Sequence, residues 1–207
     1  MQLLLGTNNR GKVIEMTEVL SGLPIKLLTP ELLKLRSDPE ESGSSFRENA
    51  LIKARHFFGL SKLPTLADDS GIVVEALENE LGVFTRRWGA GATASDEEWI
   101  EFFLERMKRE QNKKARFVCC LSFIGQDGSE HLFEGFCDGV ITDTLKASYL
   151  PGLPISACFK PNGFDCVYSA MSIDQKNSTS HRGKAMKKVR EFLKYAEKTN
   201  QGSRTAI

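Results

Sequence analysis

Apolar runs and helical patterns alternate along the first part of the chain. A short apolar run from Gln2 to Leu5 predicts a buried strand, and the following stretch, KVIEMTEVL, repeats apolar residues at helical spacing. A second strand is predicted from Ile25, in IKLLT. The polar segment RSDPEESGSS comes next and is too rich in turn formers to be regular. The chain therefore begins with a strand, a loop, a helix and a second strand.

Two serine-to-glutamate pairs mark the starts of two further helices. Ser45 and Glu48 form a capping box at the start of SFRENALIKARHFFGLS, and Ser95 and Glu98 form another before DEEWIEFFLERMKREQ. The second of these helices carries an apolar stripe that we interpret as core and not as a cofactor site. The stripe consists of Trp99, Phe102, Phe103 and Met107.

The middle of the chain predicts strands. PTLA, DDSG and IVVEAL together predict a strand that an acidic turn interrupts, and QDGS between ARFVCCLSFIG and EHLFEGFCDGVI predicts a hairpin. A Pro- and Gly-rich segment from Tyr149 to Gly163 precedes a final helix from about Ser180 to Glu197. This order predicts an α/β fold with a mixed sheet. We expect a single domain over residues 1–200 and a polar tail over residues 201–207.

Composition narrows the classes of function. The 207 residues are 41% hydrophobic, enough for one sizeable core. Lys plus Arg, 28, nearly cancels Asp plus Glu, 27, which disfavours nucleic acid and acidic membrane surfaces as partners. No stretch approaches the roughly 18 apolar residues of a membrane span, and no cleavable signal opens the chain, so we expect a cytoplasmic protein. Five cysteines without C-x-x-C pairs predict reduced, buried thiols.

The first loop resembles a phosphate-binding loop with one difference. Gly6, Gly11 and Lys12 match the Gly-x-x-x-x-Gly-Lys spacing of a Walker loop, but Val13 replaces the Ser or Thr whose hydroxyl holds magnesium there. Two interpretations remain at this point. The match is either a coincidence or a different phosphate loop whose metal is held by another segment.

Two acidic segments could supply that metal site. They are Glu40–Glu41 in EESG and Asp68–Asp69 in DDSG, both in predicted turns. Magnesium commonly takes one or two carboxylates together with phosphate oxygens and water. Paired aspartates also suit a base that orients an attacking water. The alternative is that DDSG is only an Asx-type turn.

Basic side chains at two helix starts are candidate anion ligands. Asn49 and Lys53 lie four residues apart and therefore share one face of a helix. Lys176, His181 and Arg182 cluster around the start of the final helix, where free N–H groups favour an anion. For each group the alternative is an ordinary solvated surface.

Taken in order, these segments resemble one family, the inosine and xanthosine triphosphate pyrophosphatases, which cleave non-standard purine nucleoside triphosphates to the monophosphate and pyrophosphate. The matching segments run from residue 3 to about 190. They are TNNRGK, EESG, SFRENALIKA, LADDSG, LGVFTRRWGAGA, RFVC, Glu134-Gly135 and KNSTSHRGKA. The resemblance implies an elongated mixed α/β sheet with flanking helices, two lobes around a central nucleotide cleft, and a homodimer.

The resemblance also implies roles for individual residues. Glu41 and Asp69 would bind Mg²⁺, Asp69 would also accept the proton of the attacking water, and Lys53 would add positive charge at the reaction centre. Whether Asp68 or Glu40 also contacts the metal stays open. Contacts with the substrate are expected for Thr7, Asn8, Asn9, Arg10, Gly11, Lys12, Asn49, Ser70, Lys176, His181 and Arg182.

One segment departs from the family pattern. Where the family has a Phe-Gly-aromatic-Asp-Pro run that contacts the base, this chain has LPISA, so Ile155 replaces the aromatic residue and Ser156 the Asp. The base site is expected to include Leu153, Pro154, Ile155 and Ser156, with Tyr149 or Phe159 as alternative base contacts.

The leading hypothesis is Mg²⁺-dependent hydrolysis of non-standard purine nucleoside triphosphates, namely ITP, dITP and XTP. Losing a polar base contact chiefly removes discrimination between bases, so the identity of the base stays open. Two other hypotheses are the same phosphate chemistry on another base and a nucleotide-binding protein with impaired turnover.

Overall fold

The structure is a computed structural model that describes residues 1–35, 37, 39–78, 80–85, 88–91 and 93–202, with side chains as far as residue 196. Of the expected tail, residues 201 and 202 belong to the final helix, and residues 203–207 lie outside the described residues. Parts of RSDPEESGSS and of LGVFTRRWGAGA also lie outside them.

The described strands form one six-stranded mixed sheet in the order β2-β1-β3-β4-β5-β6. β1 runs parallel to β2 and β3, and each pair of neighbours from β3 to β6 is antiparallel. The predicted hairpin is present as β4 and β5. These findings confirm the α/β fold with a mixed sheet. The strands are β1 (Gln2–Gly6), β2 (Lys26–Leu28), β3 (Thr65–Val74), β4 (Lys114–Ile124), β5 (Glu130–Ile141) and β6 (Phe159–Pro161).

Five α-helices flank this sheet in the described part of the chain. They are α1 (Arg10–Leu20), α2 (Phe46–Ser61), α3 (Asp96–Lys108), α4 (Ile173–Thr179) and α5 (His181–Gly202). The pattern did not predict α4, which Ser172 begins with a capping box of its own. The Pro- and Gly-rich segment contains β6 and a short 3₁₀ helix, Pro154–Ala157. None of the described helices is long and apolar enough to cross a bilayer.

The acidic turn predicted within PTLADDSGIVVEAL is wrong, because β3 continues through it. Asp68 pairs with Leu121 and Asp69 with Cys120 in the antiparallel ladder with β4. The ladder satisfies the backbone, and basic side chains from the helices neutralise both carboxylates, so nothing forces a turn. Because successive side chains of a strand point to opposite faces, Asp68 faces α1 and α5, whereas Asp69 faces α2.

The sheet has an open edge next to these two aspartates. β1 pairs with β3 from Leu4 to Gly6, opposite Thr65 to Ala67. Beyond that point β3 continues beside β4, while the chain leaves β1 toward α1. The loop after β1 therefore faces the stretch of β3 that begins at Asp68.

The two largest apolar clusters pack different helices onto the sheet. One cluster packs α1 and α5 on the sheet through residues such as Met16 and Val189, and the other surrounds α3. In the stripe of α3, Trp99, Phe103 and Met107 are buried as predicted. Phe102 is 43% exposed and lies outside the buried cluster, with its ring 5.2 Å from that of Trp88.

The two predicted helix caps differ in detail. Ser95 and Glu98 form the reciprocal capping box of α3. At α2 the Ser45 side chain accepts from the Glu48 N–H, but the Glu48 carboxylate accepts from the Ser44 N–H, one residue earlier than a reciprocal box requires. The five cysteines are all free, and four of them are buried, as expected from their spacing.

Candidate active site

A cleft of about 640 Å³ opens at the sheet edge where β1 ends. The cleft brings together most of the candidate site residues predicted from the sequence, which come from seven segments of the chain. Those that line it are Thr7, Asn8, Asn9, Lys12, Glu41, Lys53, Asp69, Ser70, Leu153, Pro154, Ile155, Ser156, Lys176, His181 and Arg182. Glu40 lines it as well.

Three of the residues expected from the resemblance to contact the substrate do not line the cleft. The Arg10 side chain is 79% exposed and lies 3.9 Å from Glu31. Gly11 packs under the neighbouring loop, because a Cβ there would lie 2.8 Å from the Pro151 carbonyl oxygen and from Leu153. Asn49 is buried, and its Oδ1 accepts from the Gly43 N–H at 2.8 Å. Asn49 thereby holds the segment just after Glu41.

The loop after β1 is fixed mainly by Asn9. The Asn9 Oδ1 caps α1 by accepting from the Lys12 N–H at 3.0 Å, and its Nδ2 donates to the Gly152 carbonyl at 3.1 Å. Thr7 Oγ1 accepts from the Asn9 N–H at 3.2 Å. The loop therefore joins the two walls of the cleft and places the positive end of α1 beside it.

Lys53 lies between Glu41 and Asp69, the two carboxylates predicted to bind the metal. Its Nζ lies 2.6 Å from Asp69 Oδ1 and 2.8 Å from Glu41 Oε1, and it donates to the Asp68 carbonyl at 3.1 Å. Burial lowers the pKa of Lys53, but Asp69 and Glu41 outweigh burial and raise it, so the ammonium keeps its charge. Burial raises the pKa of Asp69 despite the opposing charges of Lys53 and Lys12.

The carboxylates here fit a divalent cation. Asp69 Oδ2 is buried and has no hydrogen-bond partner among the described residues, so this oxygen can accept a further ligand. Glu41 and Asp69 share Lys53 as a neighbour, which places both carboxylates on one side of the cleft. Magnesium needs only one or two carboxylates when phosphate oxygens and water complete its shell. The described residues contain no cluster of three or more His, Cys, Asp or Glu that would hold a metal alone.

Asp68 belongs to a buried charge network on the opposite face of β3. Arg182 donates to Asp68 Oδ2 from Nε at 3.0 Å, to Ser70 Oγ from Nη2 at 2.8 Å, and to Glu15 from Nη1. Lys12 forms an ion pair with Asp68, and Lys176 lies 2.5 Å from Glu15. Burial raises the pKa of Asp68, but Arg182 and Lys12 together hold it well below its ordinary value. All three guanidinium nitrogens of Arg182 are thus used within the protein.

The other end of the cleft is apolar and aromatic, because the residues that line it there belong to one core cluster. They are Trp99, Phe117, Ile155 and Tyr168. The His181 ring stacks on Phe117 at a centroid distance of 4.5 Å and an interplanar angle of 12°. Burial, followed by the charge of Arg182, holds the pKa of His181 well below its ordinary value, so the ring is neutral. Gly135 permits this position, because a Cβ there would lie 2.0 Å from the His181 carbonyl oxygen. That close approach explains the glycine of the Glu134-Gly135 pair.

Comparison with known proteins assigns the family. A family model described as the Ham1 family matches residues 3–192. This chain belongs to the Ham1 family. It is 42% identical to the dITP/XTP pyrophosphatase of Leptospira interrogans serogroup Icterohaemorrhagiae serovar copenhageni over 193 residues, which are 93% of this chain and 97% of that protein. It is 36% identical to the dITP/XTP pyrophosphatase of Aquifex aeolicus, over 96% of this chain and 99% of that one.

Solved Ham1 structures agree with the fold. The HAM1 protein of Coxiella burnetii superimposes with a TM-score of 0.80 at 31% identity, over 94% of this chain and 99% of that one. The Staphylococcus aureus Ham1 protein superimposes with a TM-score of 0.79 at 30% identity, over 95% of this chain and all of that one.

The cleft of this Ham1 protein also contains residues that the sequence did not nominate. Glu15 lies next to core residue Met16 in α1, and its partner Arg182 is 167 residues away, so no local pattern identifies it. Phe117 and Tyr168 have the spacing of core residues, and Trp99 lies in a stripe that we interpreted as core. Nothing in an apolar pattern distinguishes a side chain packed inside the protein from one that lines a cleft.

Proposed function

We propose that this Ham1 protein hydrolyses the non-standard purine nucleoside triphosphates ITP, dITP and XTP to the monophosphate and pyrophosphate, with Mg²⁺, and so removes them from the nucleotide pool. Relatives named dITP/XTP pyrophosphatase support the reaction class. The observation that carries the proposal is the division of one cleft into a charged end, where Asp69 and Glu41 flank Lys53, and an apolar, aromatic end. The charged end suits the triphosphate of a nucleotide, and the apolar, aromatic end suits its base.

The charged end suits the triphosphate. Lys12, Lys53 and Lys176 line it, and each is held by a carboxylate of the protein. Cations fixed in this way stabilise the charge that spreads over phosphoryl oxygens during transfer without a large reorganisation. The aligned N–H groups at the start of α1 add to the same positive region.

Asp69 is the group best placed to accept a proton from water. Its Oδ1 is held by Lys53, while Oδ2 has no partner among the residues described. Water attack on the α-phosphorus forms a new P–O bond, breaks the bond to the bridging oxygen and releases pyrophosphate. Mg²⁺ held by Glu41 and Asp69 would neutralise charge on the phosphoryl oxygens. Lys53 keeps the Asp69 carboxylate oriented throughout.

The adjacent carboxylates have separate tasks. Asp68 is fully buried and forms ion pairs with Lys12 and Arg182. It therefore holds these two cations in position on one face of β3. Asp69 points to the other face of β3 and lines the cleft, and its Oδ2 has no hydrogen-bond partner among the residues that the structure describes. Neighbouring carboxylates whose environments differ in this way typically divide structural and chemical roles.

Asp69→Asn tests the proposal. The change keeps the size of the side chain but removes a charge and the proton acceptor, so kcat should fall by about three orders of magnitude or more. The measurement is pyrophosphate release from inosine, xanthosine, adenosine, guanosine and uridine triphosphates, with and without Mg²⁺. Binding of inosine monophosphate, followed by calorimetry, should stay within about threefold of wild type, because Asp69 does not lie at the aromatic end.

Glu134→Gln is the matched control, since Glu134 lies in the same row of the sheet, opposite Cys120, and does not line the cleft. It should keep wild-type turnover. Wild-type turnover by Asp69→Asn would refute the assignment of Asp69. Preferential cleavage of uridine triphosphate would favour the same chemistry on another base, and binding without any cleavage would favour a nucleotide-binding protein.

A further inference from the structure

Trp99 lines the aromatic end of the cleft and belongs to the same core cluster as Ile155, although only 2% of its surface is exposed. Its Nε1 is buried and has no hydrogen-bond partner within the described part of the chain. Buried indole N–H groups normally have a partner, and an unsatisfied donor costs free energy. A polar ligand in the cleft can remove that cost by accepting from this N–H.

Two contacts hold Trp99 at the wall of the cleft. Asp96 Oδ2 accepts from the Gly152 N–H at 2.5 Å, which fastens the first turn of α3 to the loop before Leu153. Trp99 follows Asp96 by three residues and so lies on the same side of the helix. Its ring stacks on Phe103 at a centroid distance of 5.3 Å and an angle of 13°. These contacts hold α3 and the Trp99 ring at the wall of the cleft.

The segment Leu153–Ala157 provides no aromatic side chain for a base. Of the two alternatives expected from the sequence, Phe159 is fully buried, and neither it nor Tyr149 is among the residues that line the cleft. Trp99 lines the same cleft as Ile155, the residue that stands where an aromatic was expected, and both belong to one core cluster. It is the tryptophan that can compensate for that loss.

We propose that Trp99 determines base specificity by contacting the base and donating a hydrogen bond from Nε1 to its carbonyl oxygen. The inference rests on the proposed function and adds to it the residue that would contact the 6-oxo group of the purine. Adenine presents an amino group where hypoxanthine presents a carbonyl oxygen. An amino group cannot accept from the indole, so the buried donor stays unpaired with an adenine nucleotide, and that penalty produces discrimination.

A fluorescence experiment tests the contact directly. The chain has two tryptophans, so Trp88→Phe leaves Trp99 as the sole indole, and Trp88 does not line the cleft. This variant is titrated with inosine monophosphate and, as the matched ligand without a base, with ribose 5-phosphate. We expect saturable quenching or a spectral shift with inosine monophosphate and no change with ribose 5-phosphate.

A kinetic experiment tests the hydrogen bond. Trp99→Phe keeps an aromatic ring and removes the N–H. It should lower kcat/KM for inosine triphosphate about tenfold, chiefly through KM, and change that for adenosine triphosphate less than about twofold. The ratio of the two values should therefore fall about tenfold, whereas Trp88→Phe should leave it unchanged.

The outcomes separate this inference from the proposed function. If the wild type hydrolyses inosine triphosphate but Trp99 fluorescence responds to neither ligand, or equally to both, the inference is overturned and the function stands. An unchanged specificity ratio in Trp99→Phe overturns the hydrogen bond. If no nucleoside triphosphate is hydrolysed, the function fails, and a response to inosine monophosphate alone still supports base contact. Should Trp99→Phe not fold, the fluorescence of Trp88→Phe decides.

Discussion

Arg182 joins buried carboxylates, and Arg182→Met measures how much this contact stabilises the fold. Met keeps much of the length of the side chain and removes its charge and donors. In the native protein Arg182 joins Asp68, which is 0% exposed, to Glu15, which is 8% exposed. The change leaves two buried carboxylates that have lost a shared cation.

The magnitude follows from the partners that remain. Removing one member of a buried ion pair typically costs about 3–5 kcal/mol, because the other charge stays buried. Asp68 retains Lys12 and Glu15 retains Lys176, so we expect the lower end, about 3 kcal/mol of unfolding free energy. For a chain of this size that loss corresponds to a fall of roughly 6–12 °C in Tm.

Urea denaturation followed by circular dichroism measures the loss. Arg116→Met is the matched control, because Arg116 pairs with Asp138 while both side chains are more than half exposed, and such surface pairs contribute about 0–1 kcal/mol. Combining Arg182→Met with Asp68→Asn should cost at least about 1 kcal/mol less than the sum of the single changes, since both remove the same contact. A loss no larger than that of Arg116→Met, or strict additivity, would refute the structural role.

Two further predictions concern the same cleft. Burial and Arg182 hold the folded-state pKa of His181 well below its ordinary value, so below about pH 6.5 the unfolded chain binds a proton there that the folded chain does not. The free energy of unfolding should therefore fall by about 1.4 kcal/mol between pH 7.5 and 5.5. In urea titrations at both pH values, His181→Gln should abolish this contribution, and an unchanged slope would contradict it. Lys12→Ala should weaken the binding of inosine triphosphate at least about tenfold and that of inosine monophosphate less than about twofold, because the Lys12 ammonium lies at the charged end of the cleft. Calorimetry measures both affinities. Equal losses for the two ligands would show that Lys12 does not contact the triphosphate.

Much of the fold is predictable because the patterns that define it are local. Capping boxes, helical periodicity and a Gly-containing turn predicted α2, α3 and the β4–β5 hairpin. The prediction failed at DDSG because two aspartates ordinarily favour a turn, and only charges from distant helices make them compatible with a strand. It also missed α4, since this helix of seven residues is too short to show a period.

The sequence likewise predicted only part of the candidate site. Short segments with unusual polar residues, such as TNNRGK and DDSG, drew attention to the charged end before the structure placed it in one cleft. The aromatic end gave no such signal, because Trp99, Phe117 and Tyr168 occur where a core residue is equally expected. Its contribution depends on three segments meeting at one surface, and that information is tertiary.

The charges of the cleft give a physical reason why the triphosphate would arrive with a metal ion. The ion pairs at the charged end join cations and carboxylates in equal number, so this region holds little net charge before a ligand binds. A triphosphate brings several negative charges, and the lysines that meet it already neutralise buried carboxylates. A divalent cation at Glu41 and Asp69 would supply the missing positive charge next to Asp69 Oδ2, the oxygen without a partner among the described residues. The groups that take part are Lys12, Lys53, Lys176 and Arg182 as cations, and Glu15, Glu41, Asp68 and Asp69 as carboxylates.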